Sequence, residues 1–114
     1  MNGFGHDTLA TLDADSELPP HLLELFLRAA PEQMADLVAK CERRELEAAR
    51  AQAHKLKGGL YAAGASRLAD TLESLRGSLA RADWTSALQE LARIRAAFTR
   101  VLAELERRGR GQAR

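Results

Sequence analysis

The chain has 114 residues, which is enough for one compact domain with a single core. Hydrophobic residues make up 46% of it but aromatic residues only 4%, and the abundance of Leu and Ala favours helices over strands. Seventeen Lys and Arg residues balance sixteen Asp and Glu residues, so the formal net charge of +1 gives no electrostatic argument for binding nucleic acid or an anionic membrane.

The N-terminus and the cysteine content point to the cytoplasm. Cys41 is the only cysteine, which excludes an internal disulfide and a metal site built on paired cysteines. The first twenty residues lack the basic start and apolar run of a signal peptide, and no apolar stretch approaches the length of a membrane span. We therefore expect a complete cytoplasmic protein with no membrane partner.

The N-terminal third predicts a short helix followed by a long one. The stretch HDTLATLDAD, residues 6–15, can form a short helix at most. From Pro19 to Cys41 apolar residues recur at steps of three and four, as in a helix with one core-facing stripe. Pro31 lies inside this helix and predicts a bend or a local break, because proline lacks the backbone donor.

Leu22 and Leu25 widen the apolar face of that helix beyond the needs of one neighbour. We expect them to pack against the short N-terminal helix. A docking surface for a partner protein is the alternative, because partner sites are often exposed apolar patches.

Three further helices follow. A stripe from Leu46 to Ala63 comes after the polar turn CERRE, and Gly64 has the position of a left-handed residue at a helix C-terminus. The next helix is capped by Ser66 and continues to about Ala82. The last begins after Asp83 as N-cap, and its stripe runs to Leu105.

These patterns predict an all-α fold, namely an antiparallel up-and-down four-helix bundle with a short additional N-terminal helix. The predicted division is a flexible N-terminus at 1–7, the bundle domain at 8–107 and a basic flexible tail at 108–114. The tail loses the apolar pattern after Glu106 and is expected to be solvated.

The stretch AHKLKGGLYAAGASRL, residues 53–68, carries the candidate chemistry. The helical phase puts His54 on the solvent side, with Lys57 and Gly58 one turn further on at i+3 and i+4. Glycine inside a helix costs roughly 1 kcal/mol relative to alanine, so Gly58 and Gly59 need a reason. An open surface beside an exposed imidazole is one such reason, because it lets a large partner approach.

The flanking Lys55 and Lys57 indicate that the approaching group is an anion. Neutral imidazole has a nucleophilic nitrogen, and a lysine one turn away can neutralise phosphoryl oxygens. The combination predicts a site that accepts a phosphoryl group and passes it on. There is no glycine-rich phosphate loop, so we expect no ATP site and no independent turnover.

The same stretch resembles the signature of histidine-containing phosphotransfer (HPt) domains. The matching positions are His54, Leu56, Lys57, Gly58, Gly64 and Ala65, and the resemblance extends over roughly residues 8–107. It implies a four-helix bundle whose phosphorylated histidine is His54 and whose assisting lysine is Lys57. It also implies receiver domains of response regulators and a sensor or hybrid histidine kinase as partners, with Mg²⁺ supplied by the receiver and no cofactor in this chain.

Two positions depart from the family pattern. Gly59 stands where the family often has serine. Arg76 is the candidate for the polar residue that the family often places near the histidine from the neighbouring helix. We count Lys55, Gly59, Tyr61, Leu22, Leu25 and Arg76 as candidate partner-contacting residues.

Simpler explanations exist for several of these residues. Close approach of two helices would also account for a glycine, more readily at Gly59 than at Gly58. Tyr61 can be an ordinary half-buried side chain at a helix edge, and Lys55 a solvated charge. The three histidines lie in different segments, so we expect no metal site.

The sequence thus predicts a monomeric phosphorelay carrier that takes a phosphoryl group from a receiver aspartate or hybrid kinase and gives it to another receiver. The alternative is a docking module that binds a kinase or receiver without being phosphorylated. A purely structural helical adaptor is the third hypothesis.

Overall fold

The computed structural model describes residues 8–14 and 18–112, and these form a short 3-10 helix and four long helices. Their bounds are Thr8–Ala10 for the short helix, Pro20–Glu42 for α1, Leu46–Ala62 for α2, Ser66–Ala80 for α3 and Trp84–Gln112 for α4. Helix α2 packs against α1 and α3, and α4 packs against the same two, so the helices stand at the corners of a square. Three-residue connections make consecutive helices antiparallel. The predicted bundle is confirmed.

The core is built from the apolar stripes that the sequence shows. On α2 the side chains of Ala49, Ala53, Leu56 and Leu60 are fully buried. Leucines at steps of three and four on α3, and a mixed stripe on α4, meet them from the other side. Burial of each leucine contributes about 1.5–3 kcal/mol, so the stripe fixes which face of α2 is left for solvent.

All three turns between the long helices have one geometry, the Schellman motif. A residue with positive φ follows each helix: Arg44 at 57°, Gly64 at 85° and Ala82 at 54°. The next backbone N–H then donates to a carbonyl in the last turn of the helix, through Glu45 to Lys40, Ala65 to Leu60 and Asp83 to Ser78, at 2.8–3.0 Å. The prediction for Gly64 is confirmed.

The two predicted N-caps have different outcomes. The Asp83 carboxylate accepts a hydrogen bond from the Ser86 backbone N–H at 3.1 Å, which confirms its capping role. Ser66 is not a cap, because α3 begins at Ser66 itself and Ala65 precedes it. The Ser66 hydroxyl instead donates to Asp13 Oδ2 at 2.6 Å.

The N-terminal segment lies against α3 and α4. Leu12 is buried in the core, and the Asp13 backbone N–H donates to the Gly64 carbonyl at 2.8 Å. The expectation that this segment covers Leu22 and Leu25 is wrong, because these bonds hold it at the α2–α3 turn and both leucines remain exposed. Residues 1–7 and 15–17 lie outside the described residues, and with them the predicted flexible N-terminus.

Two helices are longer or more regular than the sequence indicates. Helix α1 passes through Pro31 without a break. Helix α4 continues past Glu106 to Gln112, so residues 108–112 of the predicted tail are helical. A Cβ at Gly109 would lie 2.9 Å from Leu23 Cδ2, so this glycine allows the end of α4 to approach α1 closely.

Candidate functional site

The His54 side chain projects from α2 into solvent. Its neighbours Ala53 and Leu56 are fully buried, and this phase turns the imidazole away from the core. Among the described residues, none forms a hydrogen bond or an ion pair with the imidazole. Its nitrogens are therefore accessible to another molecule.

Gly58 leaves an open surface one turn beyond His54. A Cβ built at this position meets nothing within 4 Å. No helix packs closely there, so packing within the described residues does not explain the glycine. The surface beside the imidazole is open and exposed, which allows a large molecule to approach.

Gly59 has a different environment, although it is adjacent in sequence. A Cβ at Gly59 would lie 3.3 Å from Phe26 Cε1 on α1, which is tighter than ordinary contact. Close approach of α1 and α2 accounts for this glycine. Of the two explanations that the sequence leaves open, helix packing therefore suits Gly59 and an open surface suits Gly58.

Lys57 forms an ion pair across the α2–α3 interface. Its Nζ donates to Glu73 Oε1 at 2.7 Å, and Arg76 Nη1 donates to the same oxygen at 2.9 Å. The hydrogen bonds from Lys57 and from Arg76 lower the pKa of the Glu73 carboxyl from its ordinary value of 4.5. We call these three residues the Glu73 triad.

A second cross-helix pair shows how the two helices are aligned. The Tyr61 hydroxyl donates to Asp70 Oδ1, and this bond is the largest cause of the raised pKa of Tyr61. In two antiparallel helices, residues at the same level along the axis have a nearly constant sum of position numbers. This sum is 130 for Lys57 with Glu73 and 131 for Tyr61 with Asp70. The same antiparallel register places His54 level with positions 76 and 77 of α3. Arg76, the candidate suggested by the family resemblance, therefore lies level with the histidine along the bundle axis.

The remaining candidate residues are exposed side chains on α1 and α2. Lys55 is exposed on α2, and Leu22, Leu25 and Tyr61 are the large hydrophobic residues whose exposure stands out, at 42%, 56% and 45%. The structure thus places every candidate residue at the surface or at a helix interface close to it.

Glu73 and Asp70 were missed in the sequence because a helical stripe fixes which residues face the core, not which charges meet across two helices. One indication was available in the sequence. Asp70 and Glu73 are three residues apart, and Lys57 and Tyr61 are four apart, so both partners of each pair can lie on facing sides of two neighbouring helices.

The described residues offer little support for other chemistry. They contain no group of three or more His, Cys, Asp or Glu side chains that could hold a metal ion. Cys41 is fully buried, and desolvation raises the pKa of its thiol, so it is not an accessible nucleophile. No helix within the described ranges has the length and hydropathy to cross a bilayer.

The comparison with protein families agrees with this geometry. The family model of the Hpt domain matches residues 21–107, which is more than half of the chain and spans the four long helices up to the last part of α4. The chain belongs to the Hpt domain family, and membership implies a phosphotransfer role in two-component signalling. Searches for similar curated proteins and for similar solved structures gave no match.

Proposed function

We propose that this protein is a phosphorelay carrier whose phosphorylated residue is His54. The observation that supports it most is the accessible imidazole beside the open surface at Gly58. In the accepting step, the lone pair of the unprotonated ring nitrogen forms an N–P bond. The P–O bond to a receiver aspartate breaks, and its electron pair leaves on the aspartate carboxylate. The other ring nitrogen keeps its proton, and the reverse step on a second receiver returns the neutral imidazole.

Lys57 has the position to stabilise the phosphoryl oxygens. It lies three residues after His54 on the same helix, within reach of a group bound to the ring. Its side chain is only 18% exposed and its Nζ already binds an anionic oxygen, that of Glu73. Because the Lys57 ammonium group is already held by Glu73, it can exchange this anionic partner for a phosphoryl oxygen with little further loss of side-chain freedom.

The docking surface for the partner consists of exposed apolar and basic groups on α1 and α2. Leu22 and Leu25 on α1 and Tyr61 on α2 supply apolar area, and Lys55 supplies positive charge. Exposed hydrophobic residues of this size, on the helix that carries His54 and on its neighbour α1, suit a protein partner. We infer receiver domains and a sensor or hybrid histidine kinase as those partners, with the Mg²⁺ ion belonging to the receiver, and a cytoplasmic monomer as the acting form.

Intact mass after incubation with a phosphorylated receiver domain tests the proposal. The expected result is a mass gain of one phosphoryl group that is lost after brief acid treatment, because N-phosphorylated imidazole is labile in acid. His54→Gln should abolish the gain. His21→Gln is the matched control, because His21 is also an exposed histidine but lies on α1. This variant should retain the mass gain.

The opposite outcome is equally specific. Unchanged mass with a panel of receivers and with a small phosphoramidate donor, together with binding to one of those receivers, would replace the carrier by a docking module that is not phosphorylated. Retention of the mass gain in His54→Gln would assign the phosphoryl group to another residue.

A further inference from the structure

The Glu73 triad joins one anion from α3 to two cations from different helices through a single oxygen. Glu73 Oε1 accepts from Lys57 Nζ at 2.7 Å and from Arg76 Nη1 at 2.9 Å. The cationic side chains are 18% and 24% exposed, whereas the Glu73 side chain is 54% exposed. The carboxylate thus covers two cations that are partly withdrawn from solvent.

Both cations lie at the level of His54 or one turn from it. Lys57 is the i+3 neighbour of the histidine, and the register of α2 and α3 places Arg76 opposite it. A phosphoryl group on the imidazole would therefore meet the same two cations that Glu73 holds.

Arg76 has donor capacity left over. Its Nε is buried and has no hydrogen-bond partner among the described residues. Because a guanidinium carries five N–H donors in a rigid fork and only Nη1 is bound to Glu73, Arg76 is suited to a second anionic ligand.

We propose that Glu73 is a positioning residue that competes with the phosphoryl group for Lys57 and Arg76 and so weakens retention of the phosphoryl group on His54. This inference rests on the proposed function. Before transfer, Glu73 keeps the two cations in place and neutralises one of them. After the N–P bond forms and the P–O bond to the receiver breaks, the phosphoryl oxygens and the Glu73 carboxylate share the same cations and repel each other. Both effects favour return of the phosphoryl group to a receiver aspartate.

The test is the equilibrium of phosphoryl exchange with one receiver domain, measured as the ratio of phosphorylated to unphosphorylated forms of both proteins by intact mass. Glu73→Gln removes the charge and keeps the size of an exposed side chain. We expect it to shift the equilibrium toward phosphorylated His54 by about 1.5- to 5-fold, as for the loss of one exposed charge interaction. The shift should shrink in 1 M salt, where the Debye length is about 3 Å.

Two further variants separate charge from structure. Arg76→Gln should move the equilibrium in the opposite direction, because it removes one of the contested cations. Glu104→Gln is the matched control, since Glu104 also binds two cations, Arg107 and Arg108, but lies on α4, the helix diagonally opposite α2 in the bundle. It should leave the equilibrium unchanged.

The outcomes distinguish this inference from the function on which it rests. A wild-type protein that is phosphorylated on His54, with an equal equilibrium constant for Glu73→Gln, would overturn the competition and leave the carrier role standing. A wild-type protein that gains no phosphoryl group would overturn the carrier role and this inference together.

Discussion

At the scale of single residues, Gly58 and Gly59 are two adjacent positions where the same substitution meets different surroundings. A methyl group at Gly58 points into open space, whereas one at Gly59 would press on Phe26 at 3.3 Å. Alanine is favoured over glycine inside a helix by roughly 0.5–1 kcal/mol. Glycine at position 58 therefore lowers the stability of the helix, and packing does not explain why it is there.

We expect Gly58→Ala to raise the free energy of unfolding by roughly 0.5–1 kcal/mol. Gly59→Ala should gain less or lose stability, because the ring of Phe26 must move by a few tenths of an ångström to accept the methyl group. Urea unfolding followed by circular dichroism measures both. An equal gain for both variants would contradict the contact between Gly59 and Phe26.

The same Gly58 variant separates the functional hypotheses. If a partner closes over His54, the added methyl group should slow phosphoryl transfer although it stabilises the fold, and a larger side chain such as Leu should slow it further. Full transfer activity in both variants would show that partner access to His54 does not depend on the glycine.

At the scale of the helices, two of the turns contain backbone strain that a substitution by glycine can relieve. Ala82 adopts φ of 54° at the end of α3, a conformation that costs an L-residue roughly 1 kcal/mol and costs glycine little. Arg44 has the same conformation, but its guanidinium lies 5.0 Å from the centre of the Trp84 ring, a cation–π contact that offsets part of the strain.

Ala82→Gly should therefore stabilise the protein by roughly 1 kcal/mol, and Arg44→Gly by less, because it also loses the contact with Trp84. Ala96→Gly, at an exposed position inside α4, is the control and should destabilise by about 0.5–1 kcal/mol. The melting temperatures of the three variants measure this order. A destabilised Ala82→Gly would show that the left-handed conformation is not retained in solution.

The turns also show what the sequence could and could not predict. The apolar stripes fixed the number, order and buried faces of the helices, because steps of three and four residues leave few alternatives. Gly64 predicted its turn, because glycine favours positive φ. Arg44 and Ala82 form the same turn without glycine, because the short connections between packed helices require a residue with positive φ. Likewise the role of Glu73 depends on the register of α2 against α3, which local patterns do not encode.

Part of the candidate site was predictable for a related reason. His54, Lys57 and Gly58 lie within one turn of one helix, so their mutual arrangement follows from helical geometry alone. The choice of Arg76 as a candidate depended on the resemblance to a family. The division between Gly58 and Gly59 required the position of Phe26 on another helix.

At the scale of the whole molecule, carboxylates with lowered pKa values connect stability to pH. Hydrogen bonds from Lys57 and Arg76 lower the pKa of Glu73, and those from Arg107 and Arg108 lower that of Glu104, both from an ordinary value of 4.5. A backbone hydrogen bond from Ser86 lowers the pKa of Asp83 from 3.8. A carboxyl group whose pKa is lower when folded stabilises the fold above its unfolded pKa, and this contribution is lost as the pH falls through the folded value.

We therefore expect constant stability from about pH 7 to 5 and a decline below about pH 4.5, the ordinary value of the two glutamates. Acid also protonates the chain's other carboxylates, and with seventeen Lys and Arg residues the repulsion between cations grows in the same range. The urea midpoint at pH 7 and at pH 3.5 measures the loss. A variant with both Glu73→Gln and Glu104→Gln should lose less than the wild type between the two conditions, because two of the titrating interactions are gone. An equal loss in the variant would assign the acid sensitivity to general charge repulsion instead of these hydrogen bonds, and added salt would then relieve it in both proteins alike.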